Sequence, residues 1–264
     1  MDDLLLATCG PDPVPFADAV AAVRGYAVAQ RWLFARTPSR PAGHWVRVPA
    51  YRFRVFDAQP ADDDDESLAL SVGAAEGLHG VARDPDVRFG FFREADNLRP
   101  LIARAETDAA GRPFWELPPR RATEGSVVAA LEAARALSQP DHGSAVLHHR
   151  RPRLFPLLSR TTARLIGTLA SAHEATVWAL IHEDLARNAT AFELLETAAV
   201  AATGQSMTRL RLHDMLTWLV VTRRWADAIR EGHWSDQAGP AHVRPAAHGD
   251  RSTVGSGHDS PDSD

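Results

Sequence analysis

Residues 174–202, Glu-Ala-Thr-Val-Trp-Ala-Leu-Ile-His-Glu-Asp-Leu-Ala-Arg-Asn-Ala-Thr-Ala-Phe-Glu-Leu-Leu-Glu-Thr-Ala-Ala-Val-Ala-Ala, decide the fold. Ala, Leu and Val recur at helical periodicity through 174–187 and again through 189–202, and the same spacing marks 159–172 and 207–229. The second half of the chain therefore reads as all helix. Upstream, 126–137 is an alanine-rich helix, and 67–81 and 91–106 read as two helices separated by Asp84-Pro-Asp. Residues 16–34 carry Val20, Val23, Tyr26, Ala27 and Leu33 at roughly helical spacing after a turn-like Gly-Pro-Asp-Pro-Val-Pro, which predicts one more helix.

Two stretches break the pattern. After a proline-rich connection at 37–43, Val46, Val48, Tyr51, Phe53 and Val55 alternate with Arg47, Arg52 and Arg54, a period of two interrupted by Pro49. An edge strand or extended arm fits, since proline cannot donate to a ladder. Residues 107–124 form a proline-rich loop with an aromatic anchor, Phe114 and Trp115. The acids of 62–66 read as a solvated turn favouring the helix that follows. The fold class expected is mainly α: a single helical domain over 1–233 with a short extended or edge-strand arm near 46–56, and a disordered tail at 234–264, where large apolar residues almost vanish. No internal repeat is visible.

Composition excludes several chemistries. The chain has 264 residues and no lysine, so every one of its 29 basic residues is arginine. Schiff-base, phosphate-loop and kinase-strand lysines are all excluded. Cys9 stands alone, which excludes an internal disulfide and a thiolate-rich metal site and fits a reducing cytoplasm. The start, Met-Asp-Asp-Leu-Leu-Leu, lacks the features of a signal peptide, and no apolar run approaches a membrane span of about 18 residues. His173-Glu174 and His182-Glu183 are nine residues apart, which would place the histidines on opposite helix faces. No metal and no cofactor are expected.

Charge supplies the functional clue. The formal net charge is -5, yet residues 142–173 contain Arg150, Arg151, Arg153, Arg160 and Arg164, four histidines and no acid. Pro152 and Pro156 force an extended linker between a helix ending near His149 and one capped by Ser159. Leu154, Phe155, Leu157 and Leu158 should pin that linker to the core, at about 1.5–3 kcal/mol per buried leucine. The arginines would then remain at the surface beside a helix N-terminus, a favourable place for phosphate. His148, His149, Arg150, Arg151, Arg153 and Arg160 are the candidate anion or nucleic-acid contacts. Asp214 lies in an apolar turn, where burial would raise its pKa unless Arg153 or Arg151 compensates; the other reading is a solvated aspartate on a helix edge.

The runs 146–158 (Val-Leu-His-His-Arg-Arg-Pro-Arg-Leu-Phe-Pro-Leu-Leu), 209–218 (Arg-Leu-Arg-Leu-His-Asp-Met-Leu-Thr-Trp) and 48–57 (Val-Pro-Ala-Tyr-Arg-Phe-Arg-Val-Phe-Asp) look like landmarks of an uncharacterised family of actinobacterial proteins, a domain of unknown function. Residues 140–159 are also similar to the helix-hairpin-helix region of base-excision DNA glycosylases. That resemblance implies DNA binding and a carboxylate base. The chain departs from it at both key points: Asp141 replaces the first hairpin glycine, and Ser159 replaces the catalytic aspartate. The function expected is a non-catalytic helical protein that engages an anionic partner, a nucleic acid among the candidates, through the arginine-rich segment. The alternatives are a degenerate glycosylase or nuclease using Asp141, Asp214 or Glu132, and a structural protein whose arginines balance its own acids.

Overall fold

In the computed structural model, which describes residues 3–57 and 68–237, helix α1 (Phe16–Val28) leads into a two-stranded antiparallel hairpin of β1 (Gln30–Thr37) and β2 (Arg40–Pro49). Helices α2 (Phe53–Phe56), α3 (Ala69–His79), α4 (Pro85–Asp96) and α5 (Arg99–Ala109) follow. A 3-10 turn at Phe114–Glu116 precedes α6 (Pro119–Glu124), α7 (Ser126–Arg135) and α8 (Pro140–Arg150). The chain continues through α9 (Arg160–Ala172), α10 (Val177–Arg187), α11 (Ala189–Thr203), α12 (Arg209–Val221) and α13 (Trp225–Gln237). The described residues are thus mainly helical with one hairpin, as the periodicity requires.

Local chemistry fixes several helix starts. Ser159, Thr176 and Thr208 each accept from the backbone N–H three residues on, capping α9, α10 and α12. Asp84 caps α4, with Pro85 in its first turn. Four expectations need correction. The helix expected over 16–34 ends at Val28, because Trp32, Leu33 and Phe34 are consecutive bulky residues without helical spacing and suit a strand. Residues 91–106 are divided between α4 and α5, with Pro100 in the first turn of α5. The loop at 107–124 contains α6. The helix expected over 207–229 breaks at Arg223, whose φ of 56° is left-handed, so α12 and α13 are separate.

The tail boundary also moves, since α13 runs on to Gln237; the rest of the expected tail, and the acidic run at 62–66, lie outside the described residues. Helix α12 is the inner element, with Leu210 to Thr217 buried without interruption. It touches α1, α9, α10, α11 and α13. Helices α1 and α13 cross so closely that a Cβ on Gly25 would lie 1.9 Å from the Ala228 carbonyl oxygen, and one on Gly232 would lie 2.0 Å from that of Ala21. Only glycine permits that approach. The N-terminal segment is fastened over α10 and α12, where Asp184 accepts from Ala7 N (2.7 Å) and from Thr8 Oγ1 (2.6 Å), while Thr8 Oγ1 also meets His213 Nε2 at 2.9 Å.

Candidate functional site

The linker at 151–158 is pinned as its leucines demand: Leu154, Phe155, Leu157 and Leu158 are buried. Part of its polar backbone is held as well. The Pro152 carbonyl accepts from Thr208 Oγ1 (2.8 Å), that of Arg153 from Phe114 N (2.8 Å), and that of Phe155 from His148 Nδ1 (2.7 Å). The six candidate contacts nevertheless do not share a surface. Every residue of α8 from His142 to Arg150 is buried, because α3 and α7 pack against it. Arg150 is only 2% exposed. His149 Nδ1 meets Ser71 Oγ at 3.0 Å, and burial pushes the His148 imidazole down to about 3, so it is neutral.

Arg151 is ion-paired through Nε and Nη2 to both carboxylate oxygens of Glu106. Arg153 lies over Trp115 at 5.8 Å, and Arg209 lies over the same ring at 5.4 Å. Arg160 is exposed, but the helix N-terminus beside it is occupied by the protein itself: Arg160 N donates to Asp141 Oδ1 at 2.6 Å, and Thr162 N to Ser159 Oγ. The expectation of one exposed arginine surface with an open N-terminus therefore fails, because helix packing separates the side chains and Asp141 supplies the anion.

Asp214 is buried rather than solvated on a helix edge, and burial raises it to about 6 against the opposing pull of Arg211. Its partner is neither Arg151 nor Arg153. Arg211, one turn earlier on α12, reaches Asp214 through Nη1 and grips Asp57 through Nε and Nη2, the latter to Oδ2 at 2.9 Å. Its guanidinium carbon lies 5.5 Å from the Tyr26 ring centre and 5.2 Å from that of Phe56. Burial alone would lower the Arg211 pKa, but Asp57, Tyr26 and Asp214 hold it well above normal. This arrangement borders a cavity of about 200 Å³ lined by Phe56, Asp57, His148, Met207 and Thr208.

The other candidate carboxylates are engaged separately. Asp141 holds Arg160 N, while Glu132 accepts from Trp178 Nε1 at 2.9 Å and lies 3.5 Å from Arg135. The glycine shared with the glycosylase pattern, Gly143, sits inside α8, where its missing Cβ leaves room for the Ala134 carbonyl of α7.

The exposed basic surface lies elsewhere, on the hairpin. Residues 30–49 contain Arg31, Arg36, Arg40 and Arg47 with no Asp or Glu, and no acid occurs anywhere between Asp18 and Asp57. All four arginines are exposed, and among the described residues none lies within ion-pair distance of a carboxylate. The register sets Trp32 opposite Arg47 and Phe34 opposite Trp45, so these four share one face. Trp45 is 58% exposed and Phe34 43%. Arg47 lies 5.9 Å from the Trp32 ring centre, Arg36 lies 5.9 Å from that of Phe34, and the Phe34 and Trp45 rings meet edge to face at 5.4 Å.

The hairpin is also firmly rooted. Ala50 N donates to Ala29 O at 2.9 Å, and just beyond, Tyr51 stacks on Tyr26 at 5.0 Å. The period of two marked the arm only through Pro49, beyond which Phe53–Phe56 are helical, and it did not mark β1. The signal was available in the 38 residues between Asp18 and Asp57, which hold seven arginines and no acid.

Residues 98–221 match a family described as a family of unknown function (DUF6308). The match covers α5 to α12 and leaves the hairpin and Asp57 outside it. Searches of curated proteins and of solved structures give no match.

Proposed function

We propose that this protein is a binding protein for an anionic partner, a nucleic acid, and that the contact is made by the hairpin of β1 and β2 rather than by the linker arginines. The observation that carries this reading is a ribbon with four exposed arginines and no acid on a chain of net charge -5. An acidic molecule repels polyanions in general, so a local, acid-free positive surface steers them to one place. Guanidinium groups suit phosphate because their planar fork donates two parallel hydrogen bonds. Arg52 and Arg54, exposed at the foot of the ribbon, extend the positive surface toward the helical body.

Fluorescence anisotropy of labelled DNA and RNA, with heparin as a competitor, tests the reading at two salt concentrations. Binding should weaken as salt rises, because each phosphate contact releases counterions. Replacing Arg31, Arg36, Arg40 and Arg47 together by Gln should reduce the slope of log K against log salt by about 3. Replacing Arg153 and Arg160 by Gln should leave most of the affinity. Absence of any salt-dependent binding, or loss confined to the linker variant, would overturn the proposal.

A further inference from the structure

We infer that the aromatic face of the hairpin is a stacking platform for single-stranded nucleic acid; this rests on the polyanion reading above and narrows it. Phosphate contacts alone need only arginine. The ribbon adds half-buried Trp32 and exposed Phe34 and Trp45 on the same face as Arg47, and none of the three packs against the hydrophobic core. A ring held in water is unfavourable without a partner, and every unpaired base offers a π-face. A duplex hides those faces within its own stack.

The spacing fits. Trp32 and Phe34 are two residues apart on one strand, a rise of about 6.8 Å. That is about twice the 3.4 Å separation of stacked bases, so one base can lie between two neighbouring rings. Arg47 over Trp32 and Arg36 over Phe34 occupy ring faces in the free protein. A base arriving on either ring replaces a cation–π contact by stacking and frees the guanidinium for the adjoining phosphate. No bond is made or broken in this exchange.

A hairpin built to dip into a lipid surface concentrates apolar side chains where it penetrates. Here the tip is Thr37-Pro-Ser-Arg40, polar and charged, and the aromatic residues lie along one side of the ribbon. The charge complement and the placement of the rings together favour a strand laid across the face over a membrane at the tip.

The test uses the full chain, with labelled 12-mers of oligo-dT and oligo-U, a 12-base-pair duplex, heparin, and vesicles of phosphatidylserine and phosphatidylcholine. Single strands should bind at least about tenfold more tightly than duplex and quench tryptophan emission. Trp45→Ala and Phe34→Ala remove exposed side chains, so both variants should keep the helical circular dichroism of the parent. Each should weaken single-strand binding by about tenfold and leave heparin binding unchanged. Equal affinity for single strand, duplex and heparin, with both variants neutral, would overturn the stacking platform while leaving the polyanion reading intact. Binding to vesicles with no binding to oligonucleotides would overturn both.

Discussion

Arg211 on α12 grips Asp57, 154 positions earlier in the chain, with two nitrogens of one guanidinium, and so fastens the end of α2 to the innermost helix. The same side chain holds Asp214 and lies against two aromatic rings. A buried cation with two carboxylates is stable only as a set, since each member would otherwise be an uncompensated charge in a low dielectric. Arg211→Met should therefore cost about 3–5 kcal/mol in urea denaturation. Combined with Asp57→Asn, the loss should fall short of the sum of the two single losses by at least about 1 kcal/mol. Additive losses would mean that the pair is not coupled.

The pH dependence has two opposed contributions near this cavity. His148 is pushed from 6.5 to about 3 by burial, with Arg211 adding to the effect. Its contribution is complete above pH 6.5 and is lost as pH falls toward 3, about 3 kcal/mol by pH 4. Asp214 has the reverse sign. Its folded value near 6 lies above 3.8, so its contribution is complete below pH 3.8 and is lost as pH rises through 6. Urea midpoints measured between pH 4 and 7 should decline less steeply toward acid in His148→Gln and more steeply in Asp214→Asn. A shift in the same direction for both variants would contradict the assignment.

Gly25 should be intolerant where another helical glycine is not. A Cβ at Gly25 collides with the Ala228 carbonyl, whereas one at Gly73 on α3 meets nothing within 4 Å. Gly25→Ala is expected to cost about 1–3 kcal/mol by forcing α1 and α13 apart. Gly73→Ala should instead stabilise by about 0.5–1 kcal/mol. Thermal melts of the two variants give opposite shifts if the crossing is as close as described.

Cys9 reports on the fastening of the N-terminal segment. Burial pushes its thiol up to about 12, so a thiol reagent should label the native protein slowly. Asp184 anchors that segment through Ala7 and Thr8; burial alone would raise its pKa, but His213 and Thr8 hold it below normal. Asp184→Asn removes charge-assisted bonds and should raise the labelling rate about tenfold. An unchanged rate would show that Asn188, which bonds both backbone groups of Leu5, and the buried Leu4, Leu6 and Val14 hold the segment without Asp184.

The apolar setting of Asp214 was legible in the sequence from Leu212, Met215 and Leu216, although it left burial beside an arginine and a solvated helix edge both open. The identity of the partner was not, since Arg151, Arg153 and Arg211 are equivalent until the helices are packed. The period of two held only as far as Pro49, since Phe53–Phe56 turn into α2 rather than extending the arm, and the pairing strand was hidden inside a segment whose first half is truly helical. The anchoring of the linker followed directly from its leucines and prolines, and the position of its arginines did not.

By itself the sequence determined the helical class, the start of α9 through its cap Ser159, and the exclusion of lysine chemistry, because these depend on residues close together along the chain. The tertiary structure alone decided which positive charges meet solvent. The acid-free run around α8 is enclosed by neighbouring helices, with Arg150 buried and Arg151 held by Glu106. Among the described residues the hairpin packs mainly strand on strand, and its Arg31, Arg36, Arg40 and Arg47 remain exposed. Exposure and pairing depend on neighbours brought in from distant positions, and no count of charges along the chain contains that information.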